Sequence, residues 1–364
     1  MNELLNEIKS VSCYKDLLSQ VENGLSGQSL YLPRSARIPL LASLFSDHEQ
    51  TILLITGRTD QALHYLEELN YWLPEAQKML FPEPNPLFYE QAAWGTTNRR
   101  ERLRVITKLG LQHIPAMRKH LSPMIVVAPV RALMTRMLPR REFIKATRQL
   151  KLSQRIQPMQ LLRDWLDLGY LPVDVVLEPG QYTSRGGIVD IWSPAEGLPV
   201  RIEFFGDEID TLRVFEPASQ RTISHVEQVT ITPAREVLPL HANMAGIDTE
   251  ALDEFDIPLV YQEKNGLLDY LSSSVLVMLD DQEYMQTVSD DVEDQALRMR
   301  NDAIKEGILS ADYPVPYLTW SELLDSLSRD AYLALAERNC RAQVARSEFD
   351  NDTWQSFAAR IDYF

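Results

Sequence analysis

Tyr182-Thr183-Ser184-Arg185-Gly186-Gly187-Ile188-Val189-Asp190-Ile191-Trp192 is followed closely by Pro199-Val200-Arg201-Ile202-Glu203-Phe204-Phe205-Gly206-Asp207-Glu208-Ile209. Both stretches read as strands separated by turn residues. Side chains alternate between faces along a strand, so Phe204 and Phe205 point opposite ways and at most one of them belongs to a core. Working outward, strand-like runs fall at 173–177, 187–192, 200–205, 208–215 and 226–232. Between them lie Pro179-Gly180, Pro194, Gly197-Leu198-Pro199 and Gly206-Asp207, which have the composition of hairpin turns. A short amphipathic helix at 158–168 precedes the strands. Together these predict an antiparallel α+β unit.

The flanks have a different texture. Residues 50–56 form a short apolar run ending at Gly57, and 124–128 form another; both suit buried strands. After the first, Asp60 is placed to cap a helix whose Ala62, Leu63, Leu66 and Leu69 share a face. A further helix is expected at 131–138. Beyond Pro239 the pattern returns. A buried strand at 274–279 ends in acids, a helix at 290–305 stops at Gly307, and Pro314-Val315-Pro316 marks a loop. Thr319 and Glu322 then have the spacing of a capping box. Strands spaced by helices imply a parallel sheet. The expected architecture is therefore α/β: residues 1–146 and 236–364 form one parallel-sheet domain, split around an antiparallel α+β insert at 147–235.

The 364 residues carry 36 basic and 52 acidic side chains, a net charge of −16. No run of about 18 uncharged apolar residues is present, which excludes an apolar spanning helix. Cys13 and Cys340 allow one disulfide at most, and with no signal-peptide layout at the start they point to a reducing cytoplasm. The net charge argues against nucleic acid at first sight, but it is unevenly spread. The segment that opens with Gly95 and closes with Arg163 holds 16 Lys and Arg against Glu101 and Glu142. Residues 241–330 hold 5 basic and 20 acidic side chains. The basic block is either a weak DNA contact, or a solvated face, or one side of a contact with the acidic segment.

Chemistry of the enzymatic kind is sparse. His48, His64, His113, His120, His225 and His241 show no metal-ligand spacing, and His113 and His120 are expected in solvent. Gly24-Leu25-Ser26-Gly27-Gln28 departs from a nucleophile elbow at its last position. A phosphate loop needs glycines for backbone donors, a Lys for charge and a Ser or Thr for magnesium. The chain has no Gly-Lys pair, and the equivalent stretch reads Leu32-Pro33-Arg34-Ser35-Ala36-Arg37. Proline removes a donor there. Asp280 and Asp281, at the end of the later strand, have the outline of a magnesium site. Without a phosphate loop, Arg34, Ser35, Ala36, Asp280 and Asp281 read as a degenerate nucleotide site, with no catalytic residue, metal or cofactor.

Arg185, Arg201 and Phe205 lie on or beside the insert's strands, and Arg with an exposed aromatic is the composition of interface hot spots. The alternative is that the arginines pair with Glu203, Asp207 or Glu208. The order RGGIVDIW, VRIEFFGDEIDTLRVF, SQRT resembles the second domain shared by the bacterial transcription-repair coupling factors (Mfd) and the excision-repair protein UvrB. Phe81-Pro82-Glu83, residues 99–109, Ala128-Pro129-Val130-Arg131-Ala132-Leu133 and DYPVPYLTWSELL from Asp312 resemble the coupling factors' amino-terminal module. An intact phosphate loop and a tyrosine-rich clamp, both present in UvrB-like chains, are not seen.

The resemblance implies a degenerate P-loop NTPase-like, UvrB-like fold and a non-catalytic adaptor that recruits UvrA to stalled RNA polymerase. It assigns UvrA contact to Arg185, Arg201 and Phe205. Contacts with RNA polymerase and DNA, and ATP with Mg in a translocase motor, would belong to domains beyond residue 364. The chain is thus expected to be an amino-terminal fragment or a short homologue, and without the family's carboxy-terminal domain it should present its UvrA face permanently. The competing readings are a UvrB-type ATPase working through Asp280 and Asp281, and direct DNA binding by the basic block.

Overall fold

The computed structural model describes residues 2–23, 28–118, 121–327 and 332–336. Most of the elbow-like run at Gly24, His120, Cys340 and the last dozen residues lie outside them. The strands in chain order are β1 (Gln28–Tyr31), β2 (Ile52–Thr56), β3 (Gln77–Leu80), β4 (Met124–Pro129), β5 (Arg148–Lys151), β6 (Leu171–Pro172) and β7 (Gln181–Arg185). They continue as β8 (Ile188–Ile191), β9 (Val200–Phe205), β10 (Glu208–Phe215), β11 (Thr222–His225), β12 (Gln228–Ile231), β13 (Leu276–Asp280) and β14 (Tyr332–Ala336).

The first sheet has the order β1-β14-β13-β2-β4-β3, with every pair parallel. Its central strands are buried at every residue. Alternate side chains feed two cores. Leu53, Ile55, Val126, Ala128, Val277 and Leu279 point into one, and Ile52, Leu54, Ile125, Val127, Leu276 and Met278 into the other. Each fully buried Leu, Ile or Val contributes about 1.5–3 kcal/mol, which is why these runs contain no polar interruption. β1 and β4 precede the insert while β13 and β14 follow it, so the sheet is completed only when the chain returns.

The insert's sheet runs β11-β10-β9-β8-β7-β6, and β5 with β12 makes a separate two-stranded ribbon. Tyr182, Val189, Ile191, Val200, Ile202, Ile209 and Leu212 pack with Leu161 and Trp165 of the helix Pro158–Asp167. Two-residue loops close the hairpins β7–β8 and β9–β10. Gly186 (φ 63°) and Gly206 (φ 65°) supply the left-handed backbone such loops demand.

Several local expectations give way to tertiary structure. Residues 173–177 are not a strand. Val173 still donates to the Tyr182 carbonyl, but beyond it side chains take over: Gln181 Oε1 accepts from the amides of Leu177 (2.9 Å) and the adjoining Glu178 (3.1 Å), and Arg185 donates to the Asp174 carbonyl. Pro179-Gly180 does not close a hairpin, since β6 and β7 pair in parallel. The helix Thr59–Trp72 starts one residue before Asp60, which sits in its first turn and favours the dipole rather than capping it. Leu63 on that helix is 47% exposed, so its apolar stripe is narrower than expected.

The expected helix at 131–138 is the five-residue Val130–Met134, because Arg136 turns back to donate to carbonyls of Val315, Tyr261, Gln262 and Glu263. The helix ending at Lys305 begins at Gln282, eight residues early, capped by Asp281, whose carboxylate accepts from the Tyr284 amide at 3.1 Å. Thr319 and Glu322 form the reciprocal bonds of a capping box, at 3.3 and 2.9 Å, for the helix Trp320–Leu327.

A buried cation fixes the point where the chain re-enters the first domain from the insert. Arg102, fully buried on the helix Thr96–Leu111, holds Glu236 through two bonds of 2.6 and 3.1 Å. Its guanidinium lies over the rings of Phe81 (4.2 Å) and Trp94 (4.9 Å), and it donates to the Pro82 carbonyl. Glu236 sits just after β12, where the chain leaves the insert.

Candidate functional site

Strand register decides what the insert presents. Asp190 stands opposite Arg201, Ile188 opposite Glu203, and Arg185 opposite Ile188. Arg201, Glu203 and Phe205 are spaced by two along β9 and share its outward face, so Arg185, Ile188, Arg201 and Phe205 all lie on one side of the sheet. The other side is the insert's core. Phe204 packs partly against that core, and Phe205 stands 84% exposed beside the Gly206 turn. Ile188 is also exposed.

The two arginines differ in state. Arg185 is exposed and is tethered by its bond to the Asp174 carbonyl. Arg201 is braced: Asp190 takes two of its N–H groups at 2.7 and 2.8 Å, and Gln220 accepts a third bond at 3.2 Å. Its guanidinium stacks on Phe215 at 4.7 Å. The Asp190 hydrogen bonds push the Arg201 pKa upward, outweighing partial burial. Neither arginine pairs with Glu203, Asp207 or Glu208; Glu203 is taken by Arg213, and Glu208 by Arg155. Asp190 was not singled out from sequence, and only the β8–β9 register reveals it.

At the other position of interest, β1 is joined to the helix Arg34–His48 by Leu32 and Pro33 alone. Arg34 and Ser35 begin the helix and Ala36 is fully buried. Arg37, one turn in and 2% exposed, reaches Asp280 at the end of β13 and pairs with its carboxylate. Tyr65 donates to the other Asp280 oxygen at 2.9 Å. Burial, and then the Asp280 charge, push the Tyr65 phenol far above its ordinary value. Asp280 is thus engaged on both oxygens, and Asp281 is spent as the cap of the helix Gln282–Lys305. The sequence displays Arg37, but its partner is 243 positions away, and Tyr65 carried no signal.

The basic block is largely consumed internally. Arg99 lies 3.5 Å from Glu254, Arg100 pairs with Glu178, Arg102 with Glu236, Arg104 with Glu101 and Arg155 with Glu208. Arg148 donates to nearby carbonyls. Glu254 and the carbonyls of residues 261–263 and 315 belong to the acidic segment, so the two blocks do touch. Glu254 is 3% exposed, and desolvation pushes its carboxyl above the ordinary range despite Arg235 and Arg99. His113, expected in solvent, is half-buried with Nε2 2.9 Å from the Tyr270 carbonyl. Among the described residues no cluster of His, Cys, Asp and Glu could hold a metal, and no helix is long and apolar enough to cross a membrane.

The family model of the UvrB interaction domain matches residues 149–237. Over 353 residues the chain is 29% identical to a transcription-repair-coupling factor of Bacillus subtilis (strain 168), covering 86% of this chain and 29% of that protein. It is 31% identical over 206 residues to that of Escherichia coli (strain K12), covering 56% of this chain and 17% of the relative. A Myxococcus xanthus relative of the same description is 27% identical over 232 residues. The chain therefore spans less than a third of the length of these relatives.

Proposed function

We propose that this chain is an amino-terminal, UvrB-like module of the transcription-repair-coupling kind and that it acts as a non-catalytic adaptor, recruiting UvrA to stalled RNA polymerase in the cytoplasm. In this reading residues 147–235 are the docking unit, and 1–146 with 236–364 form the α/β unit that carries it. Engagement of RNA polymerase and DNA, and ATP-driven translocation, are assigned to the further length that the relatives possess.

The observation that carries the reading is the outward face of the insert's sheet. Phe205, at 84% exposure, has no core role. It shares its face with Arg185 and the braced Arg201. An aromatic anchor beside directional cations is the composition that dominates binding energy at interfaces. The absence of catalysis is supported by Asp280, both of whose oxygens are already bonded by Arg37 and Tyr65.

Titration of purified UvrA against the chain tests the assignment. Phe205→Ala should weaken association by about 30-fold or more, the effect of losing a hot spot of about 2 kcal/mol. Arg185→Ala should weaken it less. Both variants keep the wild-type circular dichroism. Affinity within about twofold of wild type for folded Phe205→Ala defeats the docking assignment, since that change lies well inside the 2 kcal/mol expected. ATP turnover that vanishes in Asp280→Asn defeats the non-catalytic one.

A further inference from the structure

A second positively charged feature lies away from the insert's docking face and is not absorbed by the adaptor role. An open cleft of about 390 Å³ is formed where the end of the helix Thr96–Leu111 meets the turn before β13. Gln112, His113, Arg118, Arg140, Ser272 and Ser273 line it, and among the described residues no carboxylate does. Almost every other arginine of the basic block is held by an acid or a carbonyl. Among the described residues Arg118, Arg140 and Arg163 are the exceptions, and of these Arg118 and Arg140 line the cleft.

We propose that this cleft binds a phosphate group, with Arg118 and Arg140 as its two cationic walls and the Ser273 hydroxyl as a further donor. Two guanidiniums facing one cleft repel each other, and an oxyanion between them relieves that repulsion while accepting charge-assisted bonds. Ser273 adds a neutral donor without adding negative charge, while the Ser272 hydroxyl is engaged by Gln112 and Ser274. His113 sits at the rim with its Nε2–H given to the Tyr270 carbonyl, so Nδ1 is left as the acceptor. Its imidazole is held below its ordinary value chiefly by burial, and then by Arg140 and Arg118. A bound phosphate cancels the last two influences, so His113 reports occupancy without being needed for it. The phosphate is carried either by a small free anion or by a nucleic-acid backbone; the chemistry is common to both.

The test follows the His113 ring protons of the full chain by NMR as inorganic phosphate is added at constant ionic strength, and in a second arm as a short DNA duplex is added. Binding appears as a saturable change with the His113 pKa moving up. Arg118→Gln and Arg140→Gln should each weaken it by about tenfold, the loss of one charge-assisted bond, with the thermal unfolding midpoint unchanged. A response to phosphate alone assigns a small-anion site. A response to the duplex that phosphate displaces, and that falls with salt at a log–log slope of about −0.9 for one phosphate, assigns backbone contact. No saturable response in either arm overturns the proposal. So does a response that persists in the Arg118→Gln/Arg140→Gln double variant.

Discussion

Replacing Arg37 by Ala removes the cation that, among the described residues, pairs with Asp280 in a place where neither side chain reaches water: the two are 2% and 1% exposed. Breaking a buried pair from one side leaves an uncompensated charge and typically costs about 3–5 kcal/mol. Among the described residues only the Tyr65 hydroxyl then remains to bond the carboxylate. Arg37 is also among the largest fully buried side chains, so its truncation leaves a void as well. Against a typical domain stability of about 5–15 kcal/mol, the α/β unit should be left marginal.

The decisive comparison is the double variant Arg37→Met/Asp280→Leu. It removes both charges while filling the space, and it should lie within about 1 kcal/mol of wild type or above it. Tyr65→Phe should cost about 1–2 kcal/mol, the loss of one bond to a charged group. Denaturant unfolding followed by circular dichroism measures all three. An Arg37→Ala cost below about 1 kcal/mol, or a double variant less stable than the single one, refutes the view of a structural ion pair plugging this position.

Two further outcomes separate folding from binding and fix a pH sign. Arg201→Ala exposes Asp190, 7% accessible, to the loss of a two-bond partner and should destabilise the insert by about 1–3 kcal/mol. Phe205→Ala should leave the unfolding midpoint unchanged, so equal midpoints for both variants contradict the brace. Glu254 has a folded pKa raised by desolvation, so the folded state binds the extra proton. Its contribution is favourable at acid pH and is lost as pH rises above its ordinary 4.5. The stability of Glu254→Gln relative to wild type should therefore climb across that rise, and unfolding free energies measured from pH 4 upward that show a flat or falling difference contradict it.

What could be read from the chain alone follows the range of each interaction. The alternation along Val200–Phe205, the Gly206-Asp207 loop, the capping box of Thr319 with Glu322 and the apolar runs of β2, β4 and β13 are nearest-neighbour patterns, and all are present. Where local pattern misled, a side chain from outside the expected element intervened. Residues 173–177 read as a strand, but Gln181 and Arg185 take up the Leu177 amide and the Asp174 carbonyl. The helix expected from Asp290 begins at Gln282, because Asp281, at the end of a sheet strand, supplies the cap.

The sequence by itself determined that an antiparallel unit interrupts a parallel sheet, that Phe204 and Phe205 face opposite ways, and that no Gly-Lys pair exists to grip phosphate in the usual manner. Tertiary structure alone decided the fate of the charges. Arg37 meets Asp280 across 243 positions, and Arg102 meets Glu236 across 134. Most of the basic block is thereby spent inside the molecule, while Arg118 and Arg140 are left facing a cleft. Secondary structure is governed by contacts a few residues apart, which composition and spacing record. An ion pair is governed by which strand ends and helix faces the completed sheet brings within reach, and no local pattern records that.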